Sequence, residues 1–167
     1  MKVYKNILVP TDFSDNSIQA LEFACNVARQ NKSNLHVMHV IEPAHQNYRS
    51  EDDFYQTRYN QSRLLDAEEE MRRFISKISL QGINIVEALH SGKPHEQIIQ
   101  YSHQENIDLI VIASHGWTGL SHLITGNVAN KVMRYADVPT ICIKANNLVM
   151  QNGTSQFKST YAENWVG

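Results

Sequence analysis

The chain has 167 residues, 42% of them apolar and 19% charged, which fits one domain able to bury its core without disulfide staples. Fifteen basic residues against seventeen acidic ones give a net charge of -2, so the basic excess of a nucleic-acid groove or of a protein held on an anionic membrane is missing. No run approaches the roughly 18 apolar residues of a membrane span, and MKVYKNILVPTDFS lacks the apolar core of a secretion signal, so a cytoplasmic location is expected.

Ile7, Leu8 and Val9 read as a short buried strand, closed by Pro10, which has no N–H to give to a ladder. The turn Thr11-Asp12-Phe13-Ser14 leads into a helix on Ile18, Leu21, Phe23, Ala24 and Val27, with Ser14 as its N-cap. Asp12 admits two readings, a turn or capping carboxylate and a ligand group. A second strand spans Asn34 to Ile41, where Val40 is by type a core residue. Glu42 to Thr57 has no clean period and is expected to be a crossover loop. From about Arg58 to Ile78 a long helix places Leu64, Leu65, Met71, Phe74, Ile75 and Ile78 on one side and a solvated charge run on the other, with Gln81-Gly82 as its C-terminal stop.

Ile83, Ile85 and Val86 make a third strand, and Gly92-Lys93-Pro94 opens a helix carrying Ile98, Ile99 and Tyr101 that stops near Asn106. Leu109 to Ile112 is apolar at every position, as a strand buried on both faces must be. A loop with Gly116 and Gly119 follows, then a helix that starts at Gly126-Asn127 and carries Val128, Val132 and Met133. Amides near Gly126, Asn127, Val128 and Ala129 are first-turn donors at the positive end of the helix dipole, a setting that suits an anion. There is no Gly-Lys-Ser/Thr P-loop, and neither spacing nor position matches the dinucleotide fingerprint. Thr140 to Lys144 is the last strand. Residues 147–167 form an extension whose apolar members, among them Phe157 and Trp165, leave two readings open, packing on a partner surface or a frayed tail.

Five strands alternating with four helices predict an α/β fold with a doubly wound parallel sheet. Cys25 and Cys142 are expected to be reduced core thiols. His36 and His39 stand at odd spacing on one strand and so point to opposite faces, and no ligand spacing for a transition metal is present.

Ala113-Ser114-His115-Gly116, nine residues, then Gly126-Asn127 resembles the universal stress protein motif, Gly-x-x-Gly followed by nine residues and Gly-Ser/Thr. Lys5 to Ser14, His39-Val40-Ile41, Gly92 to Ile98 and Val138 to Ile143 resemble further stretches of that family in the same order. The resemblance implies an open five-stranded sheet of order 3-2-1-4-5 with helices on both faces, like the adenine nucleotide alpha hydrolases, over residues 1–146. It also implies a regulatory or signalling module of the stress response that binds ATP, with Mg²⁺, as a homodimer paired through Thr140 to Lys144. Asp12 would face the nucleotide near its sugar and base, with Pro10 and Thr11 beside it in the same pocket, and the backbone at Val40 would meet the adenine edge. Ala113, His115, Gly116, Gly126, Asn127, Val128 and Ala129 would form the phosphate loop. His115 either donates to a phosphate or faces solvent.

That strand order reverses the chain between the strands ending at Val9 and Ala113, and open sheets bind ligands at such a switch point. Two positions depart from the motif, Ala113 for glycine and Asn127 for serine or threonine. With neither a P-loop lysine nor an evident arginine finger, binding without turnover is expected, so the chain is not read as an enzyme. Two rivals stand beside this reading: an interaction protein of the same fold that binds no nucleotide, and a slow ATPase using Asp12.

Overall fold

The computed structural model describes residues 3–43, 53–114 and 127–144. Five strands alternate with four helices: β1 (Asn6–Pro10), α1 (Asp15–Asn31), β2 (Asn34–Ile41), α2 (Asp53–Ser76), β3 (Asn84–Ser91), α3 (Pro94–Gln104), β4 (Leu109–Ala113), α4 (Asn127–Tyr135) and β5 (Thr140–Ile143). All pairings are parallel and the sheet order is β3-β2-β1-β4-β5, as the resemblance implies.

The period of two along each strand assigns the two faces. Ile7, Val9, Leu35, Val37, Leu109 and Val111 point to one side, where they pack with Leu21, Ala24 and Cys25 of α1 and Met71 and Phe74 of α2. Leu8, Met38, Val40, Ile110 and Ile112 point to the other, against Ile98 and Tyr101 of α3 and Ala129 and Val132 of α4. His36 and His39 divide in the same way. His36 bonds Tyr101 of α3, and His39 stacks on Phe13 on the face covered by α1 and α2. Cys25 and Cys142 are free thiols that pack on opposite sides of the sheet.

Helix α1 begins as expected, with the Ser17 amide donating to Ser14 Oγ at 3.3 Å. Several expectations need correction. Phe23 is 39% exposed, because it lies two residues from Leu21, about 200° around the helix from the buried stripe. Helix α2 starts at Asp53, inside the segment read as a loop, because no apolar period marks its first turns. Leu64 and Leu65 are exposed, while Met71 and Phe74 are buried. The 24-residue helix is roughly 36 Å long against roughly 27 Å for an eight-residue strand, so part of it outruns the sheet. Gly82, with φ of 76°, serves the turn before β3 and does not cap α2, which ends at Ser76. Strand β3 runs on to Ser91, well past Val86. Met133, expected on the apolar side of α4, is 39% exposed.

At the amino-terminal edge three asparagines stand in register on adjacent strands. Asn34 Nδ2 donates to Asn6 Oδ1 at 2.9 Å, and Asn84 Nδ2 donates to Asn34 Oδ1 at 2.7 Å. Asp108 Oδ2 accepts from the Lys5 and Asn6 amides at 2.7 and 3.0 Å, which ties the start of β1 to β4.

Candidate functional site at the carboxyl edge of the sheet

At the opposite edge β1 and β4 part. They pair only at Ile7↔Leu109 and Leu8↔Ile110, although β1 continues to Pro10 and β4 to Ala113. Each remains attached to its outer neighbour. Pro10 pairs with Met38 of β2, and the Thr11 amide donates to Met38 O at 2.8 Å. Ala113 pairs with Ile143 of β5, and the Ser114 amide donates to Ile143 O at 2.8 Å.

Proline explains why the seam opens here. The Lys5 carbonyl and the Thr11 amide both bond to β2, whereas the Asn6 carbonyl accepts from Asp108. Hydrogen-bonding groups alternate sides along a strand, so residue 10 would have aimed its N–H at β4, and proline has none. Pro10 therefore ends the ladder on the β4 side alone, a sharper role than closing the strand.

The turn after Pro10 is internally braced. Thr11 Oγ1 lies 2.9 Å from Ser17 Oγ and accepts from the Phe13 amide at 2.9 Å, so the buried hydroxyl faces α1 and only the backbone of Thr11 is offered to the crevice. Asp12 Oδ1 accepts from the Ser14 amide at 3.1 Å and from Ser14 Oγ at 2.5 Å. Its carboxylate thus has the turn role anticipated for it, while Ser14 is the cap. Phe13 takes φ of 64°, an outlier for a bulky residue and a form of local strain that gathers at functional sites.

Val40, on β2, is buried in one apolar cluster with Ala129, and Val128 packs against that cluster, so the structure brings these three together. Ala113 belongs to the other side, packed with Ile143 and the α1 face. Its φ is not positive, so this position has no conformational need for glycine and the motif departure does not strain the backbone. Asn127 is the first residue of α4 and not its cap, which puts the amides of Asn127, Val128 and Ala129 among the first-turn donors. His115, Gly116 and Gly126 lie outside the described residues, as does the extension from 147 onward.

A cavity of about 290 Å³ opens at the same carboxyl edge of the sheet, lined by Glu42, Lys93, Pro94, His95, Val128 and Lys131. Among the expected site residues that are described, it reaches Val128 alone. It lies between the end of β2 and the starts of α3 and α4, and no residue of the Pro10 to Asp12 turn lines it. A second groove of about 350 Å³, also lined by Glu42, runs between α2 and the ends of β2 and β3 past Arg63, Leu64 and His90. Sequence reasoning gave no site role to Lys93 or Lys131 and weighed His39 only as a metal ligand. For the lysines a signal existed in their places, at a helix N-cap and one turn after Val128. For His39 there was none, since its partners lie 26 and more positions away.

Among the described residues, no group of three His, Cys, Asp or Glu side chains could hold a metal ion, and no helix is long and apolar enough to cross a membrane.

Comparison with known proteins agrees with this architecture. A universal stress protein A homolog of Coxiella burnetii is 30% identical over 142 residues, covering 84% of this chain and 96% of that one. The structure of UspA from Lactobacillus plantarum, 26% identical, superposes with a TM-score of 0.73 over 86% of this chain and 99% of its own. A universal stress protein from Archaeoglobus fulgidus in complex with dAMP, also 26% identical, gives 0.61 over 86% of this chain and 100% of that one. The model of the universal stress protein family matches residues 3–144, from the strand before the braced turn to the end of β5, and the chain belongs to that family.

Proposed function

We propose that this protein binds an adenine nucleotide, ATP held with Mg²⁺, where β1 and β4 part, and works as a cytoplasmic regulatory or signalling module of the stress response. The observation that carries the reading is the opening of the sheet after Leu8↔Ile110, which leaves the turn at Thr11 and Asp12 and the end of β4 on the two sides of one switch point. The amides of Asn127 to Ala129 open α4, the helix that follows β4, and a helix start favours phosphate oxygens. The relative from Archaeoglobus fulgidus that holds dAMP supports an adenine-bearing ligand. Neither departure from the motif opposes it, since Ala113 is unstrained and Asn127 keeps its backbone donor.

Binding is favoured over turnover. Asp12 Oδ1 is already engaged by Ser14 through two hydrogen bonds, which ties the carboxylate to the turn instead of aiming it at a water. A homodimer through β5, the strand at the edge of the sheet among the described residues, completes the reading. Isothermal titration with ATP and Mg²⁺ tests the site. Saturable heat is expected, and silence at millimolar nucleotide would reject the reading in favour of an interaction protein of the same fold.

A further inference from the structure

We infer that Lys93 and Lys131 form a two-lysine clamp beside the first turn of α4, which makes the site discriminate among nucleotides by their phosphate charge. The inference rests on the nucleotide reading above and adds the residues that set ligand preference.

Both lysines line the cavity of about 290 Å³, where the only carboxylate in the lining is that of Glu42. Lys93 occupies the N-cap of α3, with φ of -80° and ψ of 124°, and makes no side-chain capping bond. Helices favour Ser, Thr, Asp or Asn there, and a cation sits against the positive end of the dipole. Glu96, 3.0 Å from Lys93 Nζ, offsets this weakly because both side chains are more than half exposed. A residue that breaks a local rule beside a cavity signals a use other than stability.

Lys131 lies three residues after Val128 on the same face of α4, and both line the cavity. Helical side chains lean toward the N-terminus, so its four-carbon stem can bring the ammonium back toward the first turn, whose amides have no partner within the helix. It is half-buried, and among the described residues it has no ion pair. Its natural counter-charge is an anion in the cavity. Backbone amides at the start of α4 can cradle one phosphate, and two ammonium groups alongside can offset the charge of further ones.

Titration of the wild type and of a Lys93→Gln/Lys131→Gln variant with AMP, ADP and ATP, in Mg²⁺ and at two salt concentrations, tests the clamp. Wild-type affinity should rise with phosphate number and fall with salt. Losing the lysines should weaken ATP about tenfold or more while leaving AMP within about threefold, since hydrogen bonds to charged groups are the stronger ones. Lys131→Arg should keep most of the preference. Circular dichroism checks that the variants fold, and if the double variant does not, the two single variants are read in its place. Nucleotide binding with the same ATP-to-AMP ratio in wild type and variant overturns the clamp alone. A wild type that binds no nucleotide overturns the site reading and the clamp with it.

Discussion

The ring of His39 stacks on the ring of Phe13 with centroids 4.3 Å apart, while His39 Nδ1 donates to the carbonyl oxygen of Thr11 at 2.8 Å. A carbonyl only accepts, so this bond selects the tautomer with the proton on Nδ1. One side chain of β2 thus holds both ends of the turn that follows β1. It stabilises a Phe13 backbone whose left-handed conformation costs about 1–3 kcal/mol.

Replacing this brace should loosen the turn. His39→Leu keeps the bulk but loses the bond to Thr11 and the ring stack, at a cost of about 1–2 kcal/mol, which lowers the melting temperature by a few degrees. If the turn shapes the nucleotide site, affinity for ATP drops in the same variant. An unchanged melting curve would show that Phe13 is held by other contacts.

Acid should weaken the fold through His36. The imidazole is buried against Tyr101, with Nδ1 at 2.8 Å from its hydroxyl, and burial pushes its pKa below the ordinary 6.5 despite the opposing pull of Glu105. Burial and Glu105 likewise raise the pKa of Tyr101, so the hydroxyl stays protonated, and the His90 ring lies edge-on to Tyr101 at 5.3 Å. Below pH 6.5 the unfolded chain takes up a proton at His36 that the folded chain refuses. Stability is therefore complete above that pH and falls as the pH drops from it toward the lowered folded value, by at most about 1.4 kcal/mol per pH unit. Chemical denaturation of wild type and His36→Gln between about pH 5 and 7.5 checks this, with a flatter profile expected in the variant. Parallel profiles would assign the acid response to other groups.

Two glycines should respond differently to alanine. At Gly82 the conformation is left-handed, with φ of 76°, and a methyl would meet nothing within 4 Å, so Gly82→Ala costs only the backbone term of about 1–2 kcal/mol. Gly92 has φ of 141°, and a methyl there would lie 3.1 Å from Gln97 Cγ. Its amide also joins β3 to β2 by donating to Ile41 O at 3.1 Å. Gly92→Ala should therefore be the more destabilising of the two by thermal melting, and it should disturb the neighbouring Lys93. Equal losses would mean that Gln97 swings aside and the backbone relaxes.

Restoring the motif glycine should bring no gain. Ala113 lies in β4 without positive φ and packs against the apolar cluster on the α1 face, so Ala113→Gly is expected to cost about 0.5–1 kcal/mol through chain entropy. ATP affinity should stay within about threefold of wild type, since no strain is relieved. A large rise in affinity would mean that the methyl crowds the ligand.

Much of the fold was legible before any coordinate. Alternation along β1, β2 and β4 divides the apolar residues between two helical layers, and Ser14 marks the start of α1, because periodicity and capping act over a few residues. The strand-loop-helix order directed attention to the start of α4, and the family resemblance directed it to the Pro10 to Asp12 turn. Tertiary structure alone decided that Pro10 opens the seam toward β4, that the Thr11 hydroxyl faces α1, that Leu64 and Leu65 stay exposed, and that Lys93 and Lys131 share a cavity. Each of these depends on partners tens of residues away, such as His39 and Thr11 at a separation of 28. Local pattern limits which face a side chain occupies, whereas what it meets there is set by how the strands and helices come together.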